Sequence, residues 1–107
     1  MRKKTKIPLE KAIRKEVRKY LKTRDDEFWF SYHGNPWQKK GLPDMIGCVD
    51  GYFIGIEIKR PILGKVTPLQ ALCHEDIVKA GGVVIVITSL VDLRLKLNAI
   101  KRRIQNG

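Results

Sequence analysis

A tight turn between two apolar segments constrains the fold of this chain more than any other feature. The segments are residues 44–49 and 52–59, and only Asp50-Gly51 separates them. Asp-Gly in a two-residue connection is a strong signal for a type I′ hairpin, because both central residues of that turn need a positive φ. The two segments are therefore predicted to pair as antiparallel strands.

The register of this hairpin is predicted to bring two carboxylates together. A two-residue turn places Val49 opposite Tyr52, and the same pairing continued outward places Asp44 opposite Glu57. Directly paired side chains share a face of the sheet, with Cβ atoms about 4.5–5.5 Å apart. Lys59 follows Glu57 by two residues and so shares that face. Asp44, Glu57 and Lys59 are predicted to form one cluster, unless a β-bulge shifts the register.

The other positions of the second strand predict the surroundings of this cluster. Ile54, Ile56 and Ile58 alternate with the cluster residues and are expected to face the core. Gly55 lies on the face of the cluster, and its missing side chain is expected to leave open space for a substrate backbone.

The remaining elements follow from apolar periodicity and helix caps. Thr67 fits an N-cap, Pro68 the first helical position and Gln70 the reciprocal capping position. The full prediction is a helix from Pro8 to Lys22, strands over Phe28–Tyr32, Asp44–Val49 and Tyr52–Lys59, a helix from Pro68 to Ala80, a strand over Val83–Ile87 and a helix from Leu90 to Arg103. This αβββαβα order predicts an α/β domain over residues 8–107, with a mixed sheet whose central hairpin is flanked by helices.

The charge of the chain indicates an anionic partner. The 107 residues include 22 Lys and Arg against 11 Asp and Glu, a formal charge of +11. Residues 1–24 hold eleven of the basic residues and only two of the acidic ones. Within them, residues 1–7 are expected to form a flexible basic arm. Because such an excess costs self-repulsion and is typical of proteins that bind phosphate backbones, DNA is the expected partner.

Other features argue against several classes of protein. No apolar stretch approaches the roughly 18 residues of a membrane span, and the basic N-terminus lacks the apolar core of an export signal. Cys48 and Cys73 are too few for a disulfide framework and have no zinc-like spacing to His33 and His74. We expect a cytoplasmic protein with reduced cysteines, no membrane association and no organic cofactor.

The predicted carboxylate pair indicates a metal site. Two carboxylates as close as Asp44 and Glu57 destabilise a fold unless an opposite charge compensates them. Mg2+ and Mn2+ are hard cations that bind carboxylate, carbonyl and water oxygens. The amine of Lys59 is placed to hold a water or a phosphoryl oxygen. The alternative is a surface hairpin with a nearly neutral Glu57–Lys59 ion pair.

Three short motifs carry a resemblance to a known family. Residues 41–44 read GLPD, residues 57–59 read EIK and residues 67–70 read TPLQ, which together give P-D…E-x-K…T-x-x-Q. This pattern resembles the PD-(D/E)xK nuclease superfamily and, within it, the virus-type replication-repair nuclease (VRR-NUC) domain. The resemblance extends from Glu10 to the last helix and implies a restriction-endonuclease-like core. It is also compatible with a phage-encoded protein that acts in the host cytoplasm.

The resemblance implies roles for the predicted cluster. Asp44 and Glu57 would ligate one or two divalent metal ions, with the backbone carbonyl of Ile58 as a further ligand. Lys59 would be catalytic. Gln70 would lie beside the site, and its capping-box role is compatible with that position.

In that family an acidic residue on the first helix completes the site, and here the candidates are Glu10 and Glu16. Glu10 lies three and seven residues before Ile13 and Val17, within the apolar stripe, whereas Glu16 projects towards the edge of the stripe. We choose Glu10 as catalytic and metal-binding, because a carboxylate on a buried face needs a partner. The alternative is that Glu10 is simply a favourable negative charge in the first helical turn.

Contacts with DNA are expected from the first helix and from loops around the cluster. The candidates are Lys11, Arg14, Lys15, Arg18, Trp37, Lys39, Lys40, Arg60, Lys65 and Thr67. Trp37 fits a base-stacking role and a core-filling role equally well. His33 is close enough in sequence to assist proton transfer, but a structural or solvent-exposed histidine is the simpler interpretation.

The resemblance implies hydrolysis of phosphodiester bonds in DNA. Stand-alone members of the family look like structure-selective endonucleases that act on branched DNA, such as four-way (Holliday) junctions. The resemblance therefore implies the same activity here, with a role in DNA repair. A two-fold homodimer would present two sites to two strands, which a single small domain cannot do. The chief alternative is a basic DNA-binding protein whose acidic cluster is structural. An RNA-binding accessory protein fits the charge but gives no reason for the paired carboxylates.

Overall fold

A computed structural model describes residues 6–31 and 39–107, which form an α/β structure with three helices and a four-stranded mixed sheet. Its elements are α1 (Glu10–Leu21), β1 (Glu27–Ser31), β2 (Met45–Val49), β3 (Tyr52–Ile58), α2 (Pro68–Lys79), β4 (Val83–Ile87) and α3 (Leu90–Asn106). They follow one another in the order predicted from the sequence. Of the helices described, none has the length and apolar character that a bilayer span requires.

The β2–β3 hairpin has the predicted register. Val49 pairs with Tyr52 and Ile46 with Gly55. Asp50 and Gly51 have φ values of 50° and 86°, as a turn with two left-handed residues requires. β2 begins at Met45, one residue later than predicted, so Asp44 precedes the paired strand.

The strand order is β1-β2-β3-β4. β1, β2 and β3 are antiparallel neighbours, whereas β4 runs parallel to β3 after the α2 crossover. β3 is therefore an interior strand with a neighbour on each side. Its alternating side chains are directed to two different environments.

One face of the sheet packs against α1 and α3. Ile54, Ile56 and Ile58 of β3 are fully buried there, as predicted. The apolar stripe of α1 (Ile13, Val17 and Leu21) and two leucines of α3 (Leu93 and Leu97) complete this core. The residues between the three isoleucines, including Glu57, are directed to the opposite face.

The opposite face is covered in part by α2. The predicted capping box opens this helix, since the Thr67 hydroxyl accepts from the Gln70 N–H and the Gln70 side chain accepts from the Thr67 N–H. Gly55 does not leave open space on this face. A Cβ at Gly55 would lie 2.6 Å from the ring of Pro43, so the glycine admits the buried Pro43 and not a substrate.

The side chain of Glu27 ties the start of β1 to the rest of the fold. It is fully buried and accepts hydrogen bonds from Arg24, Trp29 and Lys101. Desolvation opposes ionisation of this carboxyl, but the three hydrogen bonds outweigh it and lower the pKa of Glu27. Because Lys101 belongs to α3, the carboxylate links the edge strand to that helix.

Glu27→Gln is expected to lower the free energy of unfolding by about 2–4 kcal/mol at pH 7, because it leaves buried cationic donors without their charged acceptor. Asp26→Asn is the matched control. Asp26 also contacts Lys101, but its side chain is 71% exposed, and its substitution should change stability by less than about 0.5 kcal/mol. Urea unfolding of both variants measures the difference, and equal effects would contradict a structural role for Glu27.

Candidate active site

The site is centred on Glu57, a carboxylate buried in the middle of the sheet. Its side chain is only 1% exposed. In the parallel β3–β4 ladder, Glu57 lies opposite Val86. A buried carboxylate needs hydrogen-bond partners or counter-charges to offset the loss of water. These come from α2, from the residue before β2 and from Lys59.

α2 supplies two of these partners. Gln70 Nε2 donates to Glu57 Oε2 over 3.2 Å, and His74 Nε2 lies 3.1 Å from Glu57 Oε1. The same Gln70 side chain also caps α2 through its oxygen. Both roles expected for Gln70, helix capping and a place beside the cluster, are therefore compatible in one conformation.

His74 is a site residue that the sequence reasoning missed. Burial, followed by the nearby charge of Lys59, lowers the pKa of His74. These influences favour a neutral imidazole beside the Glu57 carboxyl. A signal was present in the sequence, because His74 follows Gln70 by four residues and so lies on the same side of the helix.

Asp44 approaches the cluster from the residue before β2. Its Oδ2 accepts from the Ile58 N–H over 2.7 Å, and its Oδ1 accepts from Arg14 over 2.8 Å. In an extended strand the N–H and C=O of one residue point to the same side. The Ile58 carbonyl is therefore directed to the same edge of β3 as Asp44.

Lys59 completes the predicted cluster. Its Nζ lies 4.0 Å from Glu57 Oε2, and its side chain is 11% exposed. The backbone N–H of Lys59 donates to Ile87 O over 2.9 Å, which fixes the residue directly after β3. Asp44, Glu57 and Lys59 thus lie together, as the hairpin register predicted.

Burial and the neighbouring Asp44 both disfavour ionisation of the Glu57 carboxyl. Burial, followed by a hydrogen bond with Asp44 and by its negative charge, raises the pKa of Glu57 to about 9. Lys59 opposes this shift but does not cancel it. In the absence of another cation, Glu57 is therefore held in its neutral form at pH 7.

A divalent cation fits this donor set. Asp44 and Glu57 offer carboxyl oxygens, and the Ile58 carbonyl adds a further oxygen on the same side of β3. No group of three or more His, Cys, Asp or Glu residues is arranged for metal binding within residues 6–31 and 39–107. Mg2+ commonly takes only one or two carboxylates and completes its shell with water, so two carboxylates and a carbonyl are compatible with it.

The structure distinguishes between the two acidic candidates on α1. Glu10 is near enough to Glu57 for its charge to contribute to the raised pKa of Glu57, and it accepts from Arg14 over 3.1 Å. Glu16 is exposed on another side of the helix. Glu10 is not in the immediate cluster, because Arg14 lies between it and Asp44.

Two residues expected to contact DNA have internal partners instead. Arg14 bridges Glu10 and Asp44, and its side chain is 33% exposed. Arg60 donates to the carbonyls of Ile7 and Pro8, which ties the segment before α1 to the end of β3. The Arg14–Glu10 pair is local to the helix, whereas Asp44 and the Ile7 and Pro8 carbonyls are brought near these guanidinium groups by the tertiary structure.

The other DNA-binding candidates lie in several places. Lys11, Lys15, Lys39, Lys40, Lys65 and Thr67 are exposed, and Arg18 is half-buried. The Thr67 hydroxyl accepts from the first turn of α2. Trp37 and His33 lie outside the described residues, as do residues 1–5 of the predicted arm.

Comparisons of the chain with protein-family models, curated proteins and solved structures found no match.

Glu57→Gln tests the neutral state of Glu57. A carboxyl whose pKa is raised on folding contributes stability that is present below its unfolded pKa and lost as the pH rises towards 9. In EDTA, the free energy of unfolding of the wild type should fall by up to about 1.4 kcal/mol per pH unit between pH 7 and 9. Chemical denaturation across this range should give a flatter profile for Glu57→Gln, and parallel profiles would contradict the raised pKa.

Proposed function

We propose that this protein is a metal-dependent DNA endonuclease with a restriction-endonuclease-like core. The observation that carries the proposal is the buried Asp44–Glu57 pair with Lys59 beside it. Burying one carboxyl group beside another in the centre of a sheet has a high energetic cost in a purely structural role. The same pair is well suited to a divalent cation, and its spacing matches the P-D…E-x-K pattern of the PD-(D/E)xK nucleases.

Each residue of the cluster has a defined part in this proposal. Asp44, Glu57 and the Ile58 carbonyl would hold Mg2+ or Mn2+, which supplies charge stabilisation and a hydroxide nucleophile when bound. Lys59 donates to a phosphoryl oxygen or orients the attacking water. Gln70 and His74 position Glu57, because each contacts one of its two oxygens.

The charge of the chain supports DNA as the substrate. The exposed lysines of α1, Lys11 and Lys15, lie on the helix that carries Arg14 beside Asp44. The resemblance to the VRR-NUC domain favours branched DNA, including four-way junctions. It also favours a two-fold homodimer, since a 107-residue chain offers little surface for a branched substrate.

Wild-type protein is expected to cleave branched DNA in Mg2+ or Mn2+ and not in EDTA. Lys59→Ala should lower the single-turnover cleavage rate by about 100-fold or more, because it removes a donor to the developing phosphate charge. The measurement is cleavage of labelled linear duplex, single strand, flap, fork and four-way junction, together with binding of the same DNAs.

Lys79→Ala is the matched control, because Lys79 is exposed at the far end of α2. Its cleavage rate should equal that of the wild type. Failure of the wild type to cut any of these DNAs in either metal, while still binding them, would favour the non-catalytic DNA-binding alternative.

Mg2+ binding is expected to strengthen with pH, because the ion must displace the proton held by Glu57, whose pKa is raised to about 9. The rise in melting temperature on adding Mg2+ should be larger at pH 8.5 than at pH 6.5. Glu57→Gln should show almost no rise at either pH. Thermal melts in Mg2+ and in EDTA measure the effect, and an equal rise for Glu57→Gln would place the ion elsewhere.

A further inference from the structure

The loop that follows Lys59 presents two apolar side chains to solvent. This loop, residues 60–66, lies between β3 and α2. Ile62 is 86% exposed and Leu63 is 56% exposed. We name these two residues the apolar tip. Single exposed apolar residues are common on proteins, but Ile62 is the most exposed large apolar side chain in the described part of the chain.

The backbone holds Ile62 in a conformation that its side chain disfavours. The φ of Ile62 is 65°, in the left-handed region. A β-branched residue rarely adopts this region, where Gly, Asn and Asp are the usual residues. Any of these three would serve a turn that only connects two elements. Strain and exposure together at one position therefore indicate contact with another molecule.

The base of the loop is fixed to the end of β3. The Gly64 N–H donates to the Arg60 carbonyl over 3.0 Å, which closes the loop. A Cβ at Gly64 would lie 2.9 Å from the Cβ of Lys59, so the returning chain packs directly against that residue. The Arg60 guanidinium is anchored in turn to two carbonyls of the segment before α1. The apolar tip therefore extends from a fixed support beside a residue of the candidate active site.

The loop carries only positive charges. Arg60 and Lys65 are its two charged residues, and Lys59 precedes them. Lys65 is exposed, and the bonds of Arg60 bring the segment that contains the exposed Lys6 close to the loop. This charge attracts a phosphate backbone and repels a second copy of a chain that carries +11.

We propose that the apolar tip is a wedge that inserts between base pairs next to the cleaved phosphate. Side chains such as Ile and Leu unstack a base step when they enter it, and the kinked DNA then contacts more protein surface. Entry costs least where stacking is already interrupted, as at the branch point of a junction. The inference rests on the proposed function and assigns to Ile62 and Leu63 the preference for branched over linear DNA.

The test is base unstacking by metal-free protein in EDTA. The probe is a four-way junction with 2-aminopurine in a base pair next to the branch point, and a linear duplex with the same fluorophore is the reference. Saturating wild type should raise the fluorescence of the junction about twofold or more, because an unstacked 2-aminopurine is no longer quenched by its neighbours. The fluorescence of the duplex should change less than about 1.2-fold.

Ile62→Asn/Leu63→Asn removes the apolar surface and places at position 62 a residue that tolerates a positive φ. At saturating protein it should leave the junction fluorescence near its free value. It should weaken junction binding about threefold or more by anisotropy and change duplex binding less than about twofold. Its urea midpoint should be no lower than that of the wild type, because Ile62 is strained and exposed, and this verifies its fold.

Two further variants separate insertion from other effects of the substitutions. Ile62→Met/Leu63→Met retains apolar side chains of similar reach and should still unstack the junction. Val78→Asn/Leu95→Asn is the matched control and should behave as the wild type. Val78 and Leu95 are 58% and 67% exposed and lie on α2 and α3, outside the loop.

Three results would overturn the wedge. They are equal junction fluorescence with and without wild type, full unstacking by the asparagine variant, and loss of a dimer by light scattering in that variant. The last result would identify a second copy as the contact of the apolar tip. A wild type that unstacks the junction but cuts no DNA in Mg2+ contradicts only the proposed nuclease function, whereas one that cuts junctions without unstacking them contradicts only the wedge.

Discussion

The burial of one carboxylate, Glu57, determines how the surrounding elements must be arranged. A carboxyl group in the middle of a sheet is tolerated only when its two oxygens have partners. The α2 helix is placed so that one face provides an amide and an imidazole. The residue before β2 provides a second carboxyl group, which helps to raise the pKa of Glu57. The packing of this face therefore depends on hydrogen-bond partners for Glu57, whereas the opposite face requires only apolar shape.

The parts of the site that could be predicted are those fixed by local geometry. A two-residue turn leaves one register for β2 and β3, and this register brought Asp44, Glu57 and Lys59 together without knowledge of the fold. The helix caps are equally local, since Thr67 and Gln70 are three residues apart. The order and approximate bounds of the elements followed from the same short-range rules.

The parts that could not be predicted depend on how distant elements meet. We expected Arg14 and Arg60 to be surface charges that contact DNA. Besides the local Glu10, however, Arg14 bonds to Asp44, 30 residues away, and Arg60 bonds to Pro8, 52 residues away. We predicted open space at Gly55 because the sequence pattern of β3 contains no information about Pro43, which fills that space. Helical spacing could have predicted that His74 lies on the same side of α2 as Gln70. Its contact with Glu57 is apparent only once α2 is placed over the sheet.

The capping box of α2 shows how a site constrains a position that local structure alone leaves free. Glutamate serves as well as glutamine at the reciprocal position of a capping box. At position 70, however, the group that completes the cap also donates a hydrogen to the buried oxygen of Glu57. A glutamate there would lack this N–H donor and would bring another carboxyl group towards Glu57. The helix therefore accepts two residue types at its start, and the acceptor on the neighbouring strand favours only one of them.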